Sequence, residues 1–315
     1  MLSTLSEEDI GRLILRAKTF SDTNAHNAVV QILLPLLDLS ELEQEQECTI
    51  RAQLSNAYYA LTLFKIALDH TNHWLLLVNE IYEPRSFDHA IVFEVQSRVH
   101  MQLQDYSECE SVATTAVNIL NDLDLKSTPL YGRLHMTLGD ICRERGQHSQ
   151  ALKLYSEART MSLIAGDGAG LINKTAVCYA AQNQWNEAVA ALKEAVGLYS
   201  NTLGTEHHVY GTAQHNLAFA LMQLGEYSEA IPRFEEALTI FKQIYGANHK
   251  RTLKIVNELT NAMRLAAYCI NCNKVLTKQF KCSRCKQVKY CGKECQIAHW
   301  PQHKTNCVKP QKQKK

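Results

Sequence analysis

Apolar positions recur at three- and four-residue intervals, nearly without a break, from Asp9 to Ala267, and no stretch sustains a period of two. That pattern predicts amphipathic helices in succession and no sizeable sheet. The helices also repeat. The segment Tyr227-Ser-Glu-Ala230-Ile-Pro-Arg-Phe234-Glu-Glu-Ala237 returns 42 residues earlier as Trp185-Asn-Glu-Ala188-Val-Ala-Ala-Leu192-Lys-Glu-Ala195. Small residues suit the closest approach of two helices, and a large one fills the space between them. The same spacing gives Ala151, Tyr155 and Ala158, then Cys109, Ala113 and Ala116. A further 42 residues back Ala67 fits the register, with Trp74 where a small residue is expected.

The partner helices agree. Leu217-Ala218 and Leu138-Gly139 set a leucine and a small residue ahead of the next helix's alanine, and Gly225 and Gly146 mark the turns between. These features resemble tetratricopeptide repeats over roughly residues 10–265, with a period of 37–42 against the usual 34 or so. Gly204 and His207 return as Gly246 and His249, in the manner of kinesin-light-chain-type repeats. The resemblance implies an all-α helical solenoid of about five repeats, less clear towards the N-terminus. A last helix from about Lys250 to Ala267 seals the stack. It also implies a groove, lined by the first helix of each pair, for peptides or helices of other proteins. The clamp that some such grooves use for acidic C-termini needs lysine and asparagine at positions five and nine. Here those positions hold Glu94/Arg98, Met136/Asp140, Asn173/Ala177 and His215/Phe219.

Composition narrows the class. With 46% hydrophobic and 21% charged residues the 315-residue chain folds, and with 13 glycines and 6 prolines it favours helix. It contains no apolar run of membrane-spanning length. The N-terminus, Met1-Leu-Ser-Thr-Leu-Ser-Glu-Glu-Asp, has no basic-then-apolar leader. We therefore expect a protein of a reducing compartment, cytoplasmic and also nuclear, without membrane contact. Its eleven cysteines are then not disulfides.

Those cysteines are unevenly placed. Cys48, Cys109, Cys142 and Cys178 stand alone, as packing residues. The other seven form pairs with a histidine: Cys269-x2-Cys272, Cys282-x2-Cys285, Cys291-x3-Cys295 and His303-x3-Cys307. A Cys-x2-Cys knuckle lets two thiolates reach one tetrahedral ion, and three intervening residues put a pair on one helix face. Eight ligands make two complete sites, with no position open for chemistry. A unit of about 40 residues also lacks a core of its own, so it folds as it binds metal.

The string Tyr290-Cys-Gly-Lys-Glu-Cys-Gln-Ile-Ala-His-Trp300, followed by Pro-Gln-His303-Lys-Thr-Asn-Cys307, resembles a MYND-type zinc finger. The resemblance implies two structural Zn²⁺ ions, cross-braced. Cys269, Cys272, Cys291 and Cys295 hold one; Cys282, Cys285, His303 and Cys307 hold the other. It further implies docking of short proline-rich peptides at Ser283, Gln296 and Trp300. An exposed indole offers a flat apolar platform, and a glutamine bonds an extended backbone. A RING finger places its histidine mid-motif, which argues against a ubiquitin ligase. His299, a ninth candidate ligand, is expected to face solvent.

Charge divides the same way. From Cys269 to Lys315 there are twelve basic residues and one acid, Glu294, leaving 21 basic and 31 acidic before them. Two zinc ions and seven thiolates reduce the C-terminal +11 to about +8. The domains read as a repeat solenoid with its capping helix over 1–267, a finger over 268–308 and a basic disordered tail over 309–315.

Other motifs are weak. Gly166-Asp-Gly168-Ala-Gly170 lacks the strand and the Gly-Lys of a phosphate loop and is expected to be a flexible connector. Asn173-Lys-Thr175 matches a glycosylation sequon but falls on a helix, and His207 and His208 suit turn and cap duties. No nucleophile, carboxylate pair or open metal site emerges, and no length remains for the SET methyltransferase domain that accompanies some MYND fingers. The expectation is a non-enzymatic adaptor that binds proteins through groove and finger and takes no small-molecule substrate. The alternative is a nuclear transcriptional co-regulator recruiting corepressors through the finger. Direct nucleic-acid binding is disfavoured, because no base-reading helix is visible.

Overall fold

The computed structural model describes residues 6–39, 42–164, 168–266, 269–272, 276, 280–305 and 307–308, without the side chains of 160 and 162–164. Gly166, Asp167 and the 309–315 tail lie outside the described residues. The helices are α1 (Glu7–Asp22), α2 (His26–Leu33), α3 (Gln44–Ala60), α4 (Phe64–Ile81), α5 (Phe87–Leu103), α6 (Tyr106–Asp122), α7 (Pro129–Glu144) and α8 (His148–Ile164). Then follow α9 (Gly168–Ala181), α10 (Trp185–Thr202), α11 (His208–Gln223), α12 (Tyr227–Tyr245) and α13 (Lys250–Ala266). A short hairpin, β1 (Phe280–Lys281) and β2 (Lys289–Tyr290), and α14 (Lys293–His303) complete the chain. No described helix is long and apolar enough to cross a membrane.

Two compact units divide at residues 166 and 167, inside the repeats. The first holds α1–α8; the second holds α9–α13 together with β1, β2 and α14. Within each unit the helices pack as consecutive pairs. The five pairs from α3 to α12 carry the repeating residues, and α1 with α2 forms a further pair at the N-terminus, extended by a 3₁₀ turn over Leu34–Asp38. Gly168 and Gly170, expected in a connector, instead open α9.

One backbone device closes the hairpins. Asn24, Thr62, Gln104, Gly146, Asn183 and Gly225 all take left-handed backbone angles at the turn between paired helices. At Gly225 its own N–H reaches Met222 O, and the next, Glu226 N–H, reaches Leu221 O, so the last carbonyls of α11 are satisfied. Identical bonds recur at the other five turns. Only two of the six positions are glycine, the residue that takes this conformation without strain.

The repeated small residues lie where the pattern requires. Ala67, Cys109, Ala113, Ala116, Ala151, Ala158, Ala188, Ala195, Ala230 and Ala237 are wholly buried, with Tyr155 and Phe234 between them. Gly139 marks a tight crossing: a Cβ built on it would lie 2.5 Å from Cε1 of Tyr155. Trp74, in the slot where a small residue was expected, is buried among Cys48, Val78, Val92 and Val95.

First helices of successive pairs are joined by polar bonds about one period apart. Arg98 donates to Asn56 at 2.9 Å, and Arg133 to the buried Glu94 at 3.0 Å. In the second unit Asn216 donates to Asn173 at 3.3 Å, and His215 pairs with Glu258 of α13. Glu94, Arg98, Asn173 and His215, among the groove positions named above, are therefore engaged with neighbouring helices.

Candidate metal centre and adjoining pocket

The described residues of 269–307 have little apolar core to fold around. Apart from cysteines, their buried cluster contains Val288 and Tyr290, with Leu276 packed against it. What gathers there is sulfur. Ligand atoms of Cys269, Cys272, Cys291 and Cys295 all lie within 4.8 Å of one another, and so do those of Cys282, Cys285, His303 and Cys307. These are the two quartets that the cross-braced pairing implies.

The spacing fits zinc. Sγ atoms of Cys272 and Cys291 are 3.5 Å apart, as are those of Cys291 and Cys295, while Cys282 and Cys307 stand at 3.7 Å. Four thiolates at about 2.3 Å around a tetrahedral ion sit about 3.8 Å from each other. Sγ of Cys285 lies 3.3 Å from Nε2 of His303, which fixes that nitrogen as the ligand. All four donors of each quartet come from protein, so both ions are structural.

Local chain geometry positions each knuckle. Strand β1 pairs antiparallel with β2, Phe280 opposite Tyr290 and Lys281 opposite Lys289, which sets Cys282 at one end of the hairpin and Cys291 at the other. Cys282 N–H donates to Val288 O, and Lys286 N–H to Cys282 O, closing the loop that carries Cys285. Helix α14 begins after extended Gly292 and brings Cys295 and His303 to different quartets from one rigid element. Burial opposes charge on Cys269, yet N–H groups of Cys272, Cys291 and Asn271 overcome it and hold the thiol down to about 6. Cys282 is lowered likewise, by N–H groups of Cys285 and Arg284 against the cost of burial. A thiol held low in this way gives up its proton to a metal ion more readily.

His299 does not face solvent as expected. It is half-buried, stacked on His303 at 5.7 Å, and its Nδ1 shares a hydrogen bond with the Tyr290 hydroxyl at 3.1 Å. Burial pushes the Tyr290 phenol well above its ordinary value, so it stays protonated. This bond ties α14 to β2 between the two quartets.

Ser283, Gln296 and Trp300 meet at a single open pocket of about 620 Å³, lined also by Phe280, Lys293 and Ile297. Phe280 and Ile297 are 49% and 62% exposed, large values for apolar side chains on so small a module. The sequence reading missed these two and Lys293, although Lys293, Gln296, Ile297 and Trp300 follow the one-face spacing of a helix.

The finger is also seated on the second unit's last helices. Nζ of Lys289 donates to Ala266 O, at the C-terminal end of α13, at 2.9 Å. Gln287 bonds the carboxylate of Glu226, which burial has raised above its usual range. Tyr227, Leu265, Ile270 and Val288 line the cleft beside them. No motif announced this joint.

Comparison with known proteins agrees with the geometry. The tetratricopeptide repeat family model matches residues 169–243 and 210–267, and the MYND finger model matches 269–307. Protein KINESIN LIGHT CHAIN-RELATED 3 of Arabidopsis thaliana is 23% identical over 248 residues, covering 75% of this chain and 37% of its own length. A zinc finger MYND domain-containing protein 10 homologue of Drosophila melanogaster is 46% identical over 41 residues, which is 13% of this chain and 9% of that protein. The chain thus spans only a minor part of either relative. A solved structure of kinesin light chain-like repeats from Podospora anserina superposes with a TM-score of 0.52 at 18% identity, covering 64% of this chain and 98% of that one. The chain accordingly carries tetratricopeptide repeats over residues 169–267 and a two-site MYND finger over residues 269–307, in an all-α fold similar to that of kinesin light chain-like repeats.

Proposed function

We propose that this protein is a non-enzymatic adaptor whose finger docks short proline-rich peptides at Ser283, Gln296 and Trp300 while its repeats engage other protein segments. Both modules belong to families that bind proteins. The observation that carries the reading is the open apolar pocket where those three side chains converge, next to metal sites that the protein itself saturates. An exposed indole takes a proline ring on its face, and Gln296 offers a donor and an acceptor to an extended backbone. Two weak sites on one chain also raise effective affinity for an assembly that engages both.

The test is fluorescence anisotropy of labelled proline-rich peptides against the zinc-loaded chain. Trp300→Ala should abolish binding while leaving two zinc ions per chain. Equal binding by wild type and Trp300→Ala, or by a Cys291→Ser/Cys295→Ser variant that lacks a folded finger, would overturn the reading.

A further inference from the structure

We propose that the finger's pocket selects, among apolar peptides, those with a carboxylate about three residues from the side chain seated on Trp300, and that Lys293 reads it. The proposal rests on the docking of extended peptides at this pocket and adds what distinguishes one peptide from another.

Three lining residues are apolar, Phe280, Ile297 and Trp300, and two are neutral and polar, Ser283 and Gln296. The sixth, Lys293, carries the pocket's charge. Among the described residues no acidic side chain lines the pocket. Lys293 makes no ion pair or hydrogen bond among the described residues, so its ammonium is available. Glu294, the finger's one acid, is its neighbour in sequence but lies about 100° further round α14, off the face that carries Gln296, Ile297 and Trp300. The surrounding basic excess favours the same sign of partner.

Geometry sets the spacing. Lys293 and Trp300 are seven residues apart on α14, about 10 Å along its axis. An extended peptide covers that distance in about three residues at roughly 3.3 Å each. A proline or leucine on the indole therefore brings a residue three places away to the ammonium, on the side towards the start of α14.

The experiment uses the full zinc-loaded chain and 12-residue proline-rich peptides in four forms: Glu or Gln, three residues before or three residues after the central Pro-Leu. One of the two Glu positions should bind about threefold to fivefold tighter than its Gln counterpart at low salt, as for a partly exposed ion pair. The advantage should fade as ionic strength rises. Lys293→Gln should erase it, and Lys293→Arg should keep it, with zinc content and helicity unchanged in both. Equal affinity of Glu and Gln peptides for wild type, or a preference that survives Lys293→Gln, overturns the proposal while leaving docking intact. If no peptide binds wild type in any form, the docking reading falls and this proposal falls with it.

Discussion

Phe234 and Cys282 are both completely buried in the second unit, but different forces bury them. Phe234 of α12 sits between Ala230 and Ala237, in one apolar cluster with Ile240 and Leu217, where apolar area leaves water at about 25 cal/mol per Å². Every helix pair contributes a little, and loss of one contact is shared with its neighbours. Cys282 has beside it mainly other thiols, Val288 and Tyr290. Its burial depends on an ion that four ligands share, so the finger forms completely or not at all. Repeats tolerate drift in sequence because many small terms add; a finger keeps its eight ligands because each is needed.

The largest effect should come from the metal. Elemental analysis is expected to find two zinc ions per chain. Structural zinc in small fingers supplies on the order of 10 kcal/mol or more of apparent folding energy. Chelation, or Cys291→Ser with Cys295→Ser, should abolish hydrogen-exchange protection across residues 280–305 while α10–α12 keep theirs. Loss of most far-UV helical signal on chelation would show that the repeats lean on the finger after all.

Phe234→Ala tests the other side. Truncating a fully buried aromatic costs about 3–5 kcal/mol, because transfer energy is lost and a cavity remains. Denaturant unfolding should register that loss, whereas zinc stoichiometry and the affinity of the finger for zinc should not change. A variant that unfolds normally but releases zinc would couple what the comparison separates.

Acid should divide the regions next. His70 of α4 stacks on Tyr58 at 5.2 Å, and burial, then the nearby Arg51, pull it down to about 4. Its Nδ1 faces Arg51 Nη1 at 3.3 Å, so the neutral ring accepts a hydrogen bond from that guanidinium. Folding holds the imidazole neutral, while the unfolded chain takes up a proton near pH 6.5. The stability this contributes is complete above about pH 6.5 and is lost as pH falls towards 4. By pH 5 the loss is about 2 kcal/mol. His70→Phe keeps the stack and cannot titrate, so its melting temperature should fall less between pH 7.5 and 5 than wild type's. Identical slopes would exclude His70 as the origin. Zinc release in acid, read separately by a chromogenic chelator, should be unaffected by this substitution.

Much of this was written in the chain. The alanine spacing marked α12, α10, α8 and α6, and the paired Cys and His positions marked both zinc quartets, because in each case side-chain size or chemistry is the cause of the structure. The first pair, α1 and α2, carried no such mark. Its turn residue is Asn24, and the same left-handed slot holds Thr62 and Gln104 in the next two repeats, so the glycine signal vanishes while the geometry persists. His299 misled for a related reason: counting ligands left it without a role, and its partner Tyr290 is nine residues away in sequence on another element. Phe280 reached the pocket through strand pairing, which two-residue strands do not announce.

The smallest expected effect concerns the joint between the two regions. Lys289 is half-buried between finger and helix, with its ammonium on Ala266 O, where α13 leaves carbonyls without helical partners. Burial first, and then the neighbouring Lys281, lower its affinity for a proton, and the carbonyl and the negative end of the helix dipole help to offset that cost. Lys289→Met keeps the length of the stem and removes the donor. It should cost about 1 kcal/mol locally, raising hydrogen exchange at the C-terminal turn of α13 about fivefold, with zinc still bound and peptide affinity unchanged. If exchange in α13 is unmoved, the finger is merely tethered there; if zinc is lost as well, Lys289 belongs to the folding of the finger itself. The intermediate result, a looser helix end beside an intact finger, is the one that makes the joint a contact between two independently stabilised bodies.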